Sequence, residues 1–317
     1  MGNVCNLLNK GFLLKLKNNS LNLEKKEQIK ETETKLILLL EKELVEPFLV
    51  VSENRIDNSK REKVYSPFVL SLIGLFLFEL QENNKIKSLC TKIYEKIINT
   101  VNIEGIYNFY GNSDYYYDLD TTAVTNSFIY KYSKVIKSKD TILSSLFEKQ
   151  NEPGGISTWI NREDNNLDWF VNLNIYTFLK SLGIKNDKLF SYLKKNSKEF
   201  FVKGSQNYTN TLFPTFFICF YYNSGFLSKS DFNRFINLNL LNNGSQNTNE
   251  ILSLGINLLL EKNLNSLPNN YIDALCNNWQ EEICYFNSSK ANYTSRLLNI
   301  TVALYLLKNL RSKLCLM

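Results

Sequence analysis

The sequence predicts an all-α protein, and within that class an (α/α)6 barrel in which inner and outer helices alternate. Nearly all-apolar segments, beginning near residues 66, 120, 168, 210, 249 and 293, alternate with amphipathic segments. A helix that is apolar on all sides has to be buried, whereas an amphipathic helix lies on a surface. Successive apolar segments begin 39 to 54 residues apart, which indicates a degenerate repeat of helical hairpins. Signals for β-hairpins are essentially absent, so the pattern favours an inner ring of helices enclosed by an outer ring.

The N-terminal region is predicted to lead into a single domain. Residues 1–22 mix apolar and basic side chains and are expected to form an arm or a first helix, followed by one barrel domain over residues 23–317. The segment Glu24–Leu44 is dense in Glu, Lys and Leu, which are strong helix formers. Residues 45–64 are predicted as a polar connector.

The first buried helix and its surface partner carry clear helix signals. Ser66–Gln81 begins with a Ser-Pro pair, which suits a helix N-cap followed by its first turn. Asn84–Thr100 places Ile and Leu at helical spacing and is therefore predicted as amphipathic. A loop through Gly105 and Gly111 then leads to a helix from about residue 120 to 136.

The second half of the chain continues the same alternation. A Pro-Gly-Gly run at 153–155 is the strongest break in the pattern and separates two of the predicted helices. The spacing of apolar residues and the positions of helix-breaking residues predict the remaining helices. These are Asp140–Gln150, Asp168–Leu182, Lys185–Lys195, Asn210–Tyr222, Ser230–Leu241, Asn249–Leu260, a stretch around Ala274, and Tyr293–Leu310.

Composition allows one large core and an aromatic cavity inside it. The chain has 317 residues, of which 44% are hydrophobic and 13% aromatic, enough to bury an extensive interior. Aromatic residues usually pack in the hydrophobic core of a protein. Their ring faces also stabilise cations, so an aromatic-walled cavity would suit a positively charged intermediate.

Several classes of function are excluded or disfavoured by residue content. The chain lacks histidine, which excludes catalysis by Ser-His-Asp or Cys-His and any zinc site that uses histidine. The net charge of +6 is spread out without a compact basic tract, so no nucleic-acid partner is expected. The six cysteines are scattered, which indicates a reducing compartment and a cytoplasmic location. The longest apolar run, Pro67–Leu80, is too short to span a bilayer, so no integral membrane segment is predicted.

The segment Asp118-Leu119-Asp120-Thr121-Thr122-Ala123 is the main candidate for chemistry. It places two carboxylates two residues apart, directly before an apolar helical run. One interpretation is structural, with one Asp capping the helix and the other favouring its dipole. The other interpretation is catalytic, because a carboxyl kept protonated by burial or by a neighbouring carboxylate can donate a proton.

This segment resembles a variant of the Asp-x-Asp-Asp signature of class II terpene cyclases, the group that includes squalene–hopene cyclases. In that family the middle aspartate is the general acid that protonates an alkene or epoxide and starts a carbocation cascade. The resemblance assigns Asp118 to the first position and Asp120 to the proton donor. Thr121 stands where the family usually has its last Asp. It implies an isomerase or lyase acting on a linear isoprenoid, and the family's β domain is also a helical barrel.

Other residues are predicted to border the same site. The loops that enter the inner helices should lie at one rim of the barrel, which would bring Asp168, Asn172 and Asn174 near the aspartate pair. Asp168 is also a plausible helix cap, whereas buried amides such as those of Asn172 and Asn174 need hydrogen-bond partners. The residues predicted to bind substrate are Asp168, Asn172, Asn174, Tyr117, Trp169 and Tyr293, beside the catalytic set Asp118, Asp120, Thr121 and Thr122.

The predicted partner is a small hydrophobic isoprenoid, and no metal site or certain cofactor is expected. Mg²⁺ is expected only if the substrate is a diphosphate, and the Asp-Asp-x-x-Asp motif of ionising terpene synthases is absent. The chain has room for one barrel, so a homodimer or a partner domain would have to close the cavity. The alternatives are a non-catalytic barrel that binds an isoprenoid or lipid or serves as a scaffold, and a carbohydrate-active barrel with paired carboxylates.

Overall fold

The fold is mostly helical, with one small β-sheet. A computed structural model describes residues 2–55, 60–112, 114–162, 167–203, 205, 207–208, 212–236, 250–260, 271–280, 282–287 and 291–315. Helix accounts for 65% of the structure, and four strands form an antiparallel sheet.

The described helices follow the predicted alternation closely. Their bounds are α1 Gly2–Glu43, α2 Pro67–Phe78, α3 Asn84–Ile98, α4 Leu119–Ser133, α5 Lys139–Glu148, α6 Trp169–Ser181, α7 Asp187–Lys203, α8 Leu212–Asn223, α9 Lys229–Phe235, α10 Glu250–Leu260, α11 Tyr271–Asn277 and α12 Arg296–Cys315. The N-terminal stretch, predicted as an arm or a helix, is the first part of α1. The predicted extension of α9 to Leu241 lies outside the described residues.

The nearly all-apolar helices are buried and neighbour one another in a closed order. Helix α2 packs against α4 and α12, α4 against α6, α8 against α10, and α10 against α12. Helices α6 and α8 meet through side chains, since the Tyr221 hydroxyl donates to Asn174 Oδ1 at 2.6 Å. Helix α3 is buried on one face only, through Ile86, Leu89 and Ile93. As its amphipathic pattern predicts, α3 therefore lies on the surface and packs against the buried helices through one face.

Aromatic rings fill the space between these buried helices. Phe76 of α2 lies 4.3 Å from Phe220 and 5.5 Å from Tyr305, measured between ring centroids. A Cβ added at Gly74 would come within 2.6 Å of the Phe128 ring. Glycine at this position therefore permits the close approach of α2 and α4.

The sheet corrects the all-α prediction. Its strands are β1 Val51–Arg55, β2 Arg61–Val64, β3 Ile283–Asn287 and β4 Ala291–Ser295, in the order β2-β1-β4-β3. The predicted connector at 45–64 therefore contains two strands, and the last helix begins at Arg296 rather than at Tyr293, which lies in β4.

The strands give only a weak signal in the sequence. The β1–β2 and β3–β4 pairings join neighbouring segments, but the central pairing joins Glu53 to Tyr293, 240 residues later. Both strands of this central pairing are also short and partly polar, which leaves only a weak alternating pattern. The β1–β4 pairing joins the segment that follows the first helix to the segment that precedes the last one.

Within the described ranges, no helix combines the length and apolar character needed to cross a bilayer.

Candidate active site

Asp118 and Asp120 lie at the start of α4, in a segment held from both sides by backbone hydrogen bonds. The Asp118 amide donates to the Tyr107 carbonyl at 3.1 Å, and the Leu119 amide donates to the Thr158 carbonyl at 2.8 Å. Asp118 is the N-cap of α4, and its Oδ1 accepts from the Thr121 amide at 2.6 Å. Capping thus accounts for one carboxylate oxygen of the pair and leaves the role of Asp120 open.

Asp120 is held by a hydrogen-bond network from two other segments. Its Oδ1 accepts from Asn174 Nδ2 at 2.8 Å, and the Tyr208 hydroxyl is hydrogen-bonded to its Oδ2. The Tyr221 hydroxyl donates to Asn174 Oδ1 at 2.6 Å. This donation fixes the orientation of the amide, so that Asn174 presents an N–H to Asp120.

Both carboxyls resist ionisation. Burial, with the Asp120 charge as a second cause, raises the pKa of Asp118 to about 8. Burial also raises the pKa of Asp120 to about 7, against the hydrogen bonds from Tyr208 and Asn174, which lower it. Asp118 Oδ2 is buried without a hydrogen-bond partner among the described residues. An acid pair of this kind retains at least one proton near neutral pH and can donate it to a neighbouring group.

The two carboxyls border a narrow cavity of about 40 Å³. Its wall is largely aromatic, and it consists of Phe68, Phe109, Tyr115, Asp118, Asp120, Thr121, Thr158, Trp159, Val171, Asn207, Tyr208 and Tyr293. Ligand pockets in proteins commonly measure roughly 300–1,000 Å³. An isoprenoid can therefore enter only if wall side chains move, and the wall residues with partial solvent exposure are Phe109, Tyr115, Trp159 and Asn207.

The two threonines of the motif have different positions. Thr121 lines the cavity and contributes its amide to the cap. Thr122 is turned into the backbone, because its hydroxyl donates to the Asp118 carbonyl at 2.7 Å and accepts from the Tyr107 amide at 3.0 Å.

Asp168 acts on the site through the segment that carries Tyr208. It caps α6, with its Oδ1 accepting from the Phe170 amide at 2.9 Å. Its Oδ2 accepts from the Asn207 amide at 3.3 Å and from the Ser205 hydroxyl. One carboxylate thus fixes both the start of α6 and the loop that brings the Tyr208 hydroxyl to Asp120.

The remaining predicted residues divide into one at the cavity and three away from it. Tyr293 lines the cavity. Asn172 joins α6 to the preceding loop by exchanging hydrogen bonds with the Ile156 backbone at 2.7 and 2.9 Å. The Trp169 indole donates to the Leu193 carbonyl at 2.9 Å, and Tyr117 is not among the residues that line the cavity.

Tyr208 and Tyr221 were not identified from the sequence. They lie 88 and 101 residues after Asp120, in segments rich in aromatic residues, where no local pattern distinguishes a functional tyrosine from a core one. Across the described ranges, no cluster of three or more His, Cys, Asp or Glu side chains could hold a metal ion.

Of three comparisons with known proteins, only the one with solved structures found similar proteins. No family model matches the sequence, and no curated protein matches it. Solved structures of the type II terpene cyclase MstE from Scytonema do match. One, determined without ligand, has a TM-score of 0.65 at 11% identity and covers 92% of this chain and 99% of its own.

Two further MstE structures contain ligands. A variant in complex with geranylgeranyl dihydroxybenzoate as substrate has a TM-score of 0.63 at 12% identity, covering 90% of this chain and 99% of its own. A variant in complex with merosterolic acid A as product has a TM-score of 0.60 at 12% identity, covering 92% of this chain and 99% of its own. Identity this low establishes the architecture alone, and the chain has the fold of the type II terpene cyclases.

Proposed function

We propose that this protein is a cyclase that protonates a linear isoprenoid, with Asp120 as the general acid. The observation that carries the proposal is the Asp120 carboxyl, buried and hydrogen-bonded by Asn174, at the wall of an aromatic cavity. The likeness to MstE supports the same reaction class. The closed order of buried helices supports an (α/α)6 barrel as the frame of the site.

The hydrogen bonds indicate which oxygen carries the proton. Asn174 donates an N–H to Asp120 Oδ1 and that group cannot accept, whereas the Tyr208 hydroxyl that donates to Oδ2 can turn its hydrogen away, so in the acid form the proton lies on Oδ2. Transfer breaks the Oδ2–H bond, and the electron pair of an alkene forms the new C–H bond, which leaves a carbocation on the neighbouring carbon. The Tyr208 hydroxyl can then donate to the resulting carboxylate and stabilise it.

The cavity wall suits the cation produced by this step. The rings of Phe68, Phe109 and Trp159 line the same space as Asp120. Aromatic faces attract a cation by about 0.5–2 kcal/mol each, and more strongly when water is excluded. Among the described residues that line the cavity there is no Lys or Arg that would repel it.

The first substrate to test is a prenylated aromatic acid, because MstE was crystallised with geranylgeranyl dihydroxybenzoate. Geranyl, farnesyl and geranylgeranyl diphosphates form the second group, each with and without Mg²⁺. Products are identified by mass spectrometry, and in D₂O the cyclised product should gain one deuterium from the exchangeable acid.

The decisive variant is Asp120→Asn, which keeps the shape of the side chain and removes the acid. We expect turnover to fall by about 10²–10⁴-fold, the usual contribution of a general acid. Asp140→Asn, at an exposed position in the first turn of α5, is the matched control and should leave turnover unchanged. Full turnover by Asp120→Asn would refute the assignment.

The second candidate function is a non-catalytic barrel that binds an isoprenoid or lipid or acts as a scaffold. The small cavity and the tightly packed rings around Phe76 favour it. Calorimetry with the same compounds separates the two proposals: binding without any product supports the binding protein. Size-exclusion chromatography with light scattering tests whether a second copy closes the cavity.

A further inference from the structure

A buried carboxylate lies behind the cavity wall, on the sheet that the sequence did not predict. Glu53 of β1 is 6% exposed and pairs directly with Tyr293 of β4. Directly paired residues on adjacent antiparallel strands project to the same face of the sheet. The register therefore places the Glu53 carboxylate next to a tyrosine that lines the cavity.

Tyr110 links these two residues by hydrogen bonds. Its hydroxyl oxygen lies 2.7 Å from that of Tyr293, and its hydroxyl donates to Glu53 Oε2 at 3.4 Å. The other carboxylate oxygen of Glu53 pairs with Arg55 Nε at 3.2 Å. A carboxylate only accepts hydrogen bonds, so the donors point in one direction, from Tyr293 to Tyr110 to Glu53.

With this direction the hydrogen of Tyr293 is directed to Tyr110, and a phenol oxygen that donates its own hydrogen can also accept a proton. Burial, with Tyr293 as the next cause, raises the pKa of Tyr110, which keeps that phenol neutral. A neutral phenol between a donor and a carboxylate passes a proton on rather than storing charge. The 3.4 Å step is long, and such bonds commonly tighten when a substrate is bound.

Two other polar side chains of the cavity wall do not offer the same path. Thr158 Oγ1 is buried without a hydrogen-bond partner among the described residues, so nothing there would take up its proton. Asn207 reaches the Asp168 carboxylate through an amide N–H at 3.2 Å. An amide does not readily exchange its protons along a chain of hydrogen bonds.

We propose that Tyr293, backed by Tyr110 and Glu53, accepts the proton that ends the reaction. This inference rests on the proposed cyclase function. A C–H bond beside the cationic carbon breaks, and its electron pair becomes the second bond of an alkene. The proton goes to the Tyr293 oxygen, the phenol proton of Tyr293 moves to Tyr110, and that of Tyr110 moves to Glu53. The Glu53 carboxylate becomes a carboxylic acid and later releases its proton to water, while Asp120 takes one up.

The test measures which products form, because a purely structural role would change the rate or the stability but not the position of deprotonation. The wild type and the variants Glu53→Gln, Tyr110→Phe and Tyr293→Phe are incubated with whichever of the compounds named above the wild type converts. The ratio of the wild-type alkene to water-captured alcohols and other alkene isomers should fall by at least about tenfold in Glu53→Gln and Tyr293→Phe. Because the ratio is taken within each reaction, a change in the total amount of substrate protonated does not affect it.

Two control variants match these changes. Glu62→Gln alters the residue that pairs with Glu53 on the other side, in β2 and outside the cavity wall. Tyr116→Phe alters a tyrosine that is 51% exposed. Both should keep the wild-type product ratio, and circular dichroism checks that every variant is folded.

The outcomes separate the two proposals. An unchanged product ratio in Glu53→Gln and Tyr293→Phe, with a wild type that turns over, overturns the proton-acceptor proposal and leaves the cyclase proposal standing. A wild type without product on any of the compounds overturns the cyclase function, and the proton acceptor with it.

Discussion

The protonated state of Asp120 can be tested without any substrate, by the effect of pH on stability. Its pKa is raised from 3.8 to about 7 by burial, so between these values the folded protein binds a proton that the unfolded chain has lost. Stability falls with pH wherever the folded state binds more protons. Burial of this carboxyl therefore does not lower the unfolding free energy below about pH 4, and it lowers the unfolding free energy by its full amount above about pH 7.

The perturbation is Asp120→Asn, which removes the titration while keeping a similar shape. Each pH unit between the two pKa values corresponds to about 1.4 kcal/mol, which gives about 4 kcal/mol in all and about 3 kcal/mol between pH 5 and pH 9. The variant should gain this much in unfolding free energy relative to the wild type as pH rises. Loss of the Asp120 charge also lowers the pKa of Asp118, which acts in the same direction.

Urea unfolding at pH 5, 7 and 9, followed by circular dichroism, measures this difference, since titrations common to both proteins cancel. Asp140→Asn, an exposed position, is the control and should show a constant difference. A difference for Asp120→Asn that changes by less than about 1 kcal/mol over this range would mean that the carboxyl is hydrated, and the general-acid argument would fail.

Three further predictions follow from single contacts. Tyr208→Phe removes a hydrogen bond that lowers the pKa of Asp120, so the alkaline midpoint of turnover should move to higher pH; a midpoint that stays or falls would contradict this. Asn174→Leu removes the N–H donor to Asp120 Oδ1 and the acceptor of the Tyr221 hydroxyl, and urea unfolding should show a loss of about 1–3 kcal/mol. Gly74→Ala places a Cβ within 2.6 Å of the Phe128 ring and should lower the unfolding free energy by about 1–3 kcal/mol; an unchanged thermal midpoint would show that α2 and α4 can separate without cost.

The helices were predictable because their signals are local. Burial of a whole helix favours apolar side chains on every face, and α2 and α8 each show this over a single window of residues. Cap residues such as Asn83 and Asp168 also act within three residues of their own position. The β1–β4 pairing has no such local signal, since Glu53 and its partner Tyr293 lie 240 residues apart in the chain.

The sequence by itself determined that the chain forms a mostly helical core and that the candidate acid pair is Asp118 and Asp120 at a helix start. Only the tertiary structure decided which side chains surround the pair, with Tyr208 and Asn174 hydrogen-bonded to Asp120, and that Glu53 pairs with Tyr293 of the cavity wall. The reason is that a helix or a cap depends on neighbours in the chain, whereas the pKa of a carboxyl depends on burial and on hydrogen-bond partners. Here those partners come from segments 54 and 88 residues away, which meet Asp120 only when the buried helices have packed.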